Sequence, residues 1–286
     1  MNMHNRFRFL SISGAILWLS VFGLFPGLLM MGTSFLARHE AHLVDFRFSL
    51  EGYRTIIDPA FLKILWNSLY LAAGTTLLCL LAAYPFAYTL ARMETRWKKV
   101  LLMLVMIPFW TNSLVRTYAL VFMLKTRGIV STILVWLGIT AKPVSFMYTE
   151  AAVFIGLTYT LLPFMILPLY SAVEKIDGKM IEAARDLGAG SWRTFFHVTL
   201  PLTMPGIVAG CMMVFLPALG MFFVPDMLGG GKHLLVGNFI KNQFLVARDW
   251  PTGAAAGVVL TLLMLALIYV HGVSKGRLNK AGKKKS

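Results

Sequence analysis

The stretch EAARDLGAGSWRTFFHVTLP, Glu182 to Pro201, sets Glu182, Arg185, Asp186, Arg193 and His197 inside an otherwise apolar chain. Just before it, Asp177 stands where it can cap a helix start. Gly188 fits the left-handed residue past a helix end, so roughly ten residues between them are bounded as a helix. Met180, Ile181, Ala183, Ala184 and Leu187 fall on one face at helical spacing, which makes the element a short amphipathic helix. Its paired alanines allow close approach of another surface, and Glu182, Arg185 and Asp186 stand at its edge. Ser191 is placed to cap a second short helix through WRTFFHV before Pro201 and Pro205 lead into the next apolar run. On these residues alone, a helix lying in the lipid headgroup layer is one open reading.

Working outward, the chain has 286 residues, 58% of them hydrophobic and only 14% charged, with a mean hydropathy of +0.72. This lies outside the make-up of soluble domains and predicts an all-α integral membrane protein. Six apolar runs are long enough to cross about 30 Å of hydrocarbon. They span about Ser13 to Phe35, Lys63 to Ala91, Val100 to Leu124, Ala151 to Ala172, Met204 to Val224 and Gly253 to Val273. Their continuity excludes barrel strands, which alternate over about ten residues. The first run follows Arg6 and Arg8 like a secretory signal, but its apolar core is too long for one, so it is expected to remain as an uncleaved helix.

Charge fixes the expected orientation. With the N-terminus inside, the inner segments carry Arg6, Arg8, Arg92, Arg96, Lys98 and Lys99, then Lys175, Lys179, Arg185 and Arg193, then the tail KGRLNKAGKKKS. The outer loops, although longer together, carry fewer cations: Arg38, Arg47, Arg54, Lys125, Arg127, Lys142, Lys232, Lys241 and Arg248. Both termini are therefore expected in the cytoplasm, together with the opening stretch. The net charge of +15 is spread over alternate loops and forms no single patch, so it predicts contact with anionic lipid and no nucleic-acid partner. One transmembrane domain is expected over 1–286: a core at about 63–273, a cytoplasmic loop at 172–200 and a basic tail at 274–286.

Within the spans, Cys79 and Cys211 read as small packing residues. The histidines show no ligand spacing apart from the exposed pair His39 and His42, and no metal or cofactor is expected. GGGKH at Gly229 to His233 lacks phosphate-loop spacing and reads as a flexible outer loop. No nucleophile elbow, zinc-binding helix or paired-carboxylate site is present, so no catalytic residue is expected. SLEGYRTIIDP predicts a short outer helix capped by Ser49 and ending before Pro59. Pro26, Pro85, Pro108, Pro163, Pro168 and Pro217 fall within the spans and are expected to kink them.

The opening stretch resembles the EAA loop of ABC importer permeases, with Glu182, Ala183, Ala184, Gly188, Leu200 and Pro201 matching and Val198 standing where isoleucine is commonest. The resemblance implies the six-helix type I ABC importer (MetI-like) permease fold with a cytoplasmic EAA coupling loop, in which the first loop helix docks in a groove of an ATP-hydrolysing subunit. On that reading Glu182 is the principal polar contact, Ala183 and Ala184 the close-packing surface, Asp186 an edge contact, and Gly188 the turn that sets the second helix. The implied partners are a sister permease forming a heterodimer, two ATP-binding subunits at the cytoplasmic face and a periplasmic substrate-binding protein. The implied location is a bacterial inner membrane.

IPFWTNSLVRTYA, LLPFMILPLYSAVEKID, PLTMPGIVAGC and NQFLVARDWPTGAA further resemble spermidine/putrescine importer permeases, the first of the two permease subunits in those systems. The resemblance implies a polyamine cargo, with an amino acid, sulfate or ferric ion as the alternative on the same machinery. An ion-gradient-driven secondary transporter and a scaffold without transport are the rival classes. A polycation crossing low dielectric calls for aromatic faces and carboxylates. Trp110 at mid-depth of the third span, Asn112 one turn further out and Asp226 at the outer end of the fifth span are the candidate pathway residues. Trp110 also suits lipid or helix packing, and Asp226 a solvated interface. Arg116 would repel a polyamine, so it is expected to snorkel or to pair with an acid, and the sister permease is expected to supply more of the pore's negative charge.

Overall fold

The computed structural model describes residues 12–39, 44–231 and 234–283, with side chains beyond Val270 outside the description except at Gly272. Arg6, Arg8, His4, His42, Lys232, His233 and most of the basic tail thus lie outside the described side chains. Six helices among the described residues are long and apolar enough to cross a membrane: Ile12–Thr33, Pro59–Arg92, Ser113–Trp136, Glu150–Glu174, Ser191–Gly220 and Trp250–Val270. In chain order the helices are α1 (Ile12–Thr33), α2 (Glu51–Ile57), α3 (Pro59–Arg92), α4 (Thr95–Trp110), α5 (Ser113–Leu124), α6 (Ile129–Trp136) and α7 (Glu150–Glu174). They continue as α8 (Gly178–Asp186), α9 (Ser191–Gly220), α10 (Phe223–Gly229), α11 (Val236–Leu245) and α12 (Trp250–Lys283). Two short strands, β1 (Leu36–Ala37) and β2 (Asp45–Phe48), pair antiparallel with Leu36 opposite Phe48.

The chain forms two compact units, one of residues 1–63 with 239–286 and one of residues 64–238. In the first unit α12 packs on α1 and α2. Ala254, Ala255 and Ala256 are fully buried, and a Cβ at Gly52 would stand 3.1 Å from the Pro251 carbonyl. Small residues on both helices therefore set the close approach. Helix α2 falls within the expected SLEGYRTIIDP helix, but its N-cap is Leu50 rather than Ser49; Ser49 Oγ still accepts from Glu51 N at 3.2 Å, and Pro59 opens the next helix.

In the second unit α7 is the central span, with 56% of its apolar window buried. It packs most extensively against α9, where Gly206 and Gly210 meet it. A Cβ at Gly206 would lie 2.3 Å from Ala172 Cβ, and one at Gly210 would lie 2.7 Å from Met165 Sδ. Leu71, Leu120, Leu124, Val153, Leu157, Val224, Leu228 and Leu235 form the buried cluster that joins α3, α5, α7 and α10.

Three boundaries differ from the expectation, each for a local reason. The third run is two helices, because the chain is extended at Thr111 and Asn112 (ψ 147° and 132°). Pro108 removes a donor in the last turn of α4, and Asn112 then caps α5 afresh. The third candidate span accordingly begins at Ser113 and reaches Trp136. The second helix of the opening stretch does not stop before Pro201; it continues unbroken into the fifth span as α9. That span ends at Gly220, short of Val224, and residues 223–229 form the separate α10.

Proline is absorbed in a recurring way. A π-helical turn at Ser20–Leu24 precedes Pro26, and another at Phe195–Thr199 precedes Pro201. Each proline lacks the N–H that would bond four residues back and its ring crowds that carbonyl. A wider turn just upstream moves the carbonyl aside, so the helix continues through each proline.

Candidate functional site

The polar loop between the fourth and fifth spans is built as two helices joined by a turn at Gly188. Asp177 caps α8, its Oδ1 accepting from Lys179 N at 3.0 Å. At the other end Gly188 has φ +81°. Gly188 N donates to Arg185 O at 2.8 Å and Ala189 N to Ala184 O at 3.0 Å, the paired bonds of a Schellman ending. The nine-residue helix is thus closed at both ends by its own sequence.

Its faces divide sharply. Ile181 and Ala184 are half-buried, resting towards α9, while Glu182, Ala183, Arg185, Asp186 and Gly188 are exposed. Met180 is 50% and Leu187 89% exposed. The outer surface therefore presents a carboxylate at Glu182, a small residue beside it at Ala183, and apolar side chains at both ends of the helix. Trp192 and Phe196 on the first turns of α9 stack at 5.9 Å and are also exposed, which extends that apolar surface.

The loop is tied to the spans by aromatic contacts. Phe195, the first residue of the π turn, meets Tyr84 edge-on at 5.6 Å and Tyr88 at 6.3 Å on α3. Tyr84 and Thr203 hydroxyls are hydrogen-bonded at 3.0 Å. Arg92 lies over the Tyr88 ring at 3.8 Å. Beside them Lys98 pairs with Glu174 at 3.6 Å, and Tyr170 also donates to Glu174. Helix α9 runs without a break from the loop into the fifth span, and its Phe195 packs on the two α3 tyrosines. Neither the tyrosines nor the Gly206 and Gly210 contact was singled out from the sequence, although the spacing Gly-x-x-x-Gly at 206–210 is a known signal of close helix packing.

The expected pathway residues are not brought together with one another by any recorded contact. Trp110 is the last residue of α4 and is 78% exposed. Asn112 is the cap of α5: its side-chain oxygen accepts from Leu114 N at 2.8 Å, so the oxygen that was to meet an ammonium is already engaged. Asp226 sits on α10 and is half-buried. It accepts from the amide of the buried Asn238, which also donates to Phe222 O at 2.9 Å. Asp226 thus orders the turn between α10 and α11. Arg116 lies on the stripe of α5 that carries Leu120 and Leu124, with its Nε buried and without a hydrogen-bond partner.

The family described as "Binding-protein-dependent transport system inner membrane component" matches residues 80–280. The chain is 47% identical over 278 residues to the spermidine/putrescine transport system permease protein PotB of Haemophilus influenzae, covering 97% of each. Among solved structures, a bacterial ABC transporter involved in the import of the acidic polysaccharide alginate superposes with a TM-score of 0.75 at 18% identity over 96% of each chain. The same transporter type in complex with an alginate pentasaccharide-bound periplasmic protein gives 0.75 at 16% identity over 93% of each. The alginate structures share the fold with this chain, and the relatives are transport permeases rather than enzymes.

Proposed function

Because the chain belongs to the family of binding-protein-dependent inner membrane transport components, we propose that it is one pore subunit of an ATP-driven importer whose cargo is a polyamine, spermidine or putrescine. The observation that carries the cargo is near full-length similarity to a spermidine/putrescine permease. Hydrolysis belongs to two partner ATPases, each seated under one permease. In this reading α8 is the coupling helix: Glu182 makes the principal polar contact, Ala183 and Ala184 allow close packing, Asp186 flanks them, and Gly188 sets the angle to α9. Closure of the ATPases on ATP moves α8, and α9 carries the motion into the membrane, biasing the pore between inward-facing and outward-facing states.

The whole chain acts as one transmembrane domain with both termini in the cytoplasm, as the excess of inner cations supports. A sister permease completes the pore, and a periplasmic binding protein delivers cargo to the outer loops. Arg116 finds its acid on that sister, since an unpaired cation at this depth is costly.

The test is ATP-dependent uptake of labelled spermidine and putrescine into vesicles that hold this chain with its partner subunits. Uptake that needs both ATP and the binding protein is the expected result. A complex whose ATPase responds only to a binding protein loaded with an amino acid, sulfate or ferric ion would replace the cargo and keep the machine.

A further inference from the structure

We propose that Lys125 and Arg127 head a cavity that holds the phosphate headgroup of one anionic phospholipid, with the exposed apolar face of α6 beside it taking the acyl chains. The site goes beyond the transport reading and does not depend on the cargo.

The cavity is built from a chain reversal and a strut. Gly128 N donates to Lys125 O at 2.7 Å as the chain turns back on the end of α5. A Cβ at Gly128 would stand 2.3 Å from the Met123 carbonyl oxygen, so only glycine permits this reversal. The segment after α6 is the strut, held at alternate residues. Val144 N donates to Ser131 Oγ at 3.0 Å, Phe146 N to Leu124 O at 3.1 Å and Tyr148 N to Leu228 O at 2.8 Å. Tyr148 is kept at φ 62°, a left-handed backbone that bulky residues rarely adopt. Its ring takes the space a Cβ on Gly230 would need, which would lie 2.2 Å from Tyr148 Cδ1. The two segments enclose a cavity of about 470 Å³, whose wall includes Phe122, Lys125, Arg127, Ser145, Met147 and Tyr148.

Its charge is of one sign. None of the side chains lining it is acidic, and among the described residues neither Lys125 nor Arg127 is in an ion pair. Lys125 Nζ lies 4.8 Å from the centre of the Phe122 ring, a contact that steadies the ammonium and uses none of its donors. A guanidinium offers a planar fork that matches two phosphate oxygens, and an ammonium adds a point charge for the same anion. Ser145 and Tyr148 bring hydroxyl-bearing side chains to the wall. The volume falls in the range of roughly 300–1,000 Å³ that takes a small molecule.

The surface that continues from the cavity marks the anion as a lipid. Helix α6 is inverted relative to a helix in water. Ser131 is buried at 1% exposure, whereas Ile129, Ile133 and Trp136 are exposed, as are Leu137 and Ile139 just beyond. The Thr132 hydroxyl donates back to Gly128 O at 2.9 Å, so both polar side chains of α6 are engaged within the chain. Phe122 and Met147 carry the apolar character into the cavity itself. A soluble anion would gain from the two cations and nothing from this flank. A carboxylate patch on a soluble partner would leave the α6 face in water. An amphiphile with one anionic head and apolar chains meets both features at once, and tryptophan suits the boundary between them.

The experiment uses the complete importer purified in neutral detergent, titrated with phosphatidylglycerol, phosphatidylcholine or inorganic phosphate, reading lipid retained per complex by native mass spectrometry. Lys125→Gln combined with Arg127→Gln is expected to raise the half-saturating concentration of one phosphatidylglycerol per copy of this chain about thirtyfold, the loss of two surface cations. Retention of phosphatidylcholine should not change. Full retention of phosphatidylglycerol in the double variant overturns the proposal, and if stimulation of the ATPase by loaded binding protein is lost at the same time, the cavity belongs to that partner. Displacement of the lipid by inorganic phosphate at equal concentration shows a free-anion site and also overturns it. If the double variant fails to assemble, Ser145→Glu decides. This exposed position would place a carboxylate on the cavity wall, so the same lipid should be lost, and its full retention overturns the proposal.

Discussion

Gly188 is where one backbone angle determines the shape of the exposed loop. At φ +81° an L side chain is strained, by roughly 1–3 kcal/mol for a non-glycine residue held there. Nothing stands within 4 Å of an added Cβ, so the cost is conformational and not steric. Gly188→Val should therefore open the Schellman ending and lower uptake severalfold in assembled complexes, while Gly188→Asn, which tolerates the left-handed region, should retain most activity. Transport assays on the two purified complexes check this, and equal activity in Gly188→Val would remove the turn from the account. The same residue was legible in the sequence because a left-handed cap leaves a glycine signature. The Gly74 and Phe154 contact was not, because a glycine inside an apolar run leaves no sign of which ring will lie against it. Asn112 and Asp226 were legible as polar residues near membrane depth, but their engagement with backbone and with Asn238 depends on turns that the sequence pattern does not encode.

At the scale of elements, the join between loop and span is a continuous helix with one widened turn at Phe195–Thr199. Continuous apolar runs gave the number of the spans, since a run of about 20 residues has few other destinations. It could not show continuity through Pro201, because proline at that position ordinarily ends a helix and only the π turn reconciles the two. Inserting one alanine between Trp192 and Arg193, in the α-helical turn that precedes the widened one, should rotate α8 by about 100° relative to the spans. Uptake should then be abolished while the complex still assembles, measured as loss of transport with normal recovery of the subunits together. The α7 and α9 interface makes a contrasting prediction. Gly206→Leu places a side chain where even a Cβ would come within 2.3 Å of Ala172 and 2.8 Å of the Pro168 carbonyl. Overpacking of this kind costs roughly 1–3 kcal/mol and often more where backbone is the obstacle, so this variant should fail at assembly, read as reduced yield and a lower melting temperature of the complex. Recovery of Gly206→Leu at parental yield and stability would show that the two helices separate more easily than the contacts indicate.

At the scale of the whole molecule, an exposed, self-capped helix stands in the chain between the fourth and fifth of six apolar spans. Six spans and one polar loop were legible from composition and pattern alone, and the family from the residues of the loop. The division of the third run into two helices was not, because α4 and α5 are both apolar and only the extended pair Thr111 and Asn112 separates them. The central claim is that α8 transmits ATPase closure to the pore. It is tested most directly by Glu182→Lys in the reconstituted importer, with spermidine uptake and ATP hydrolysis measured on the same vesicles. Glu182 is exposed, so the substitution should leave the permease folded. The account predicts that uptake is lost and that hydrolysis no longer rises when loaded binding protein is added. Parental uptake by Glu182→Lys would contradict it.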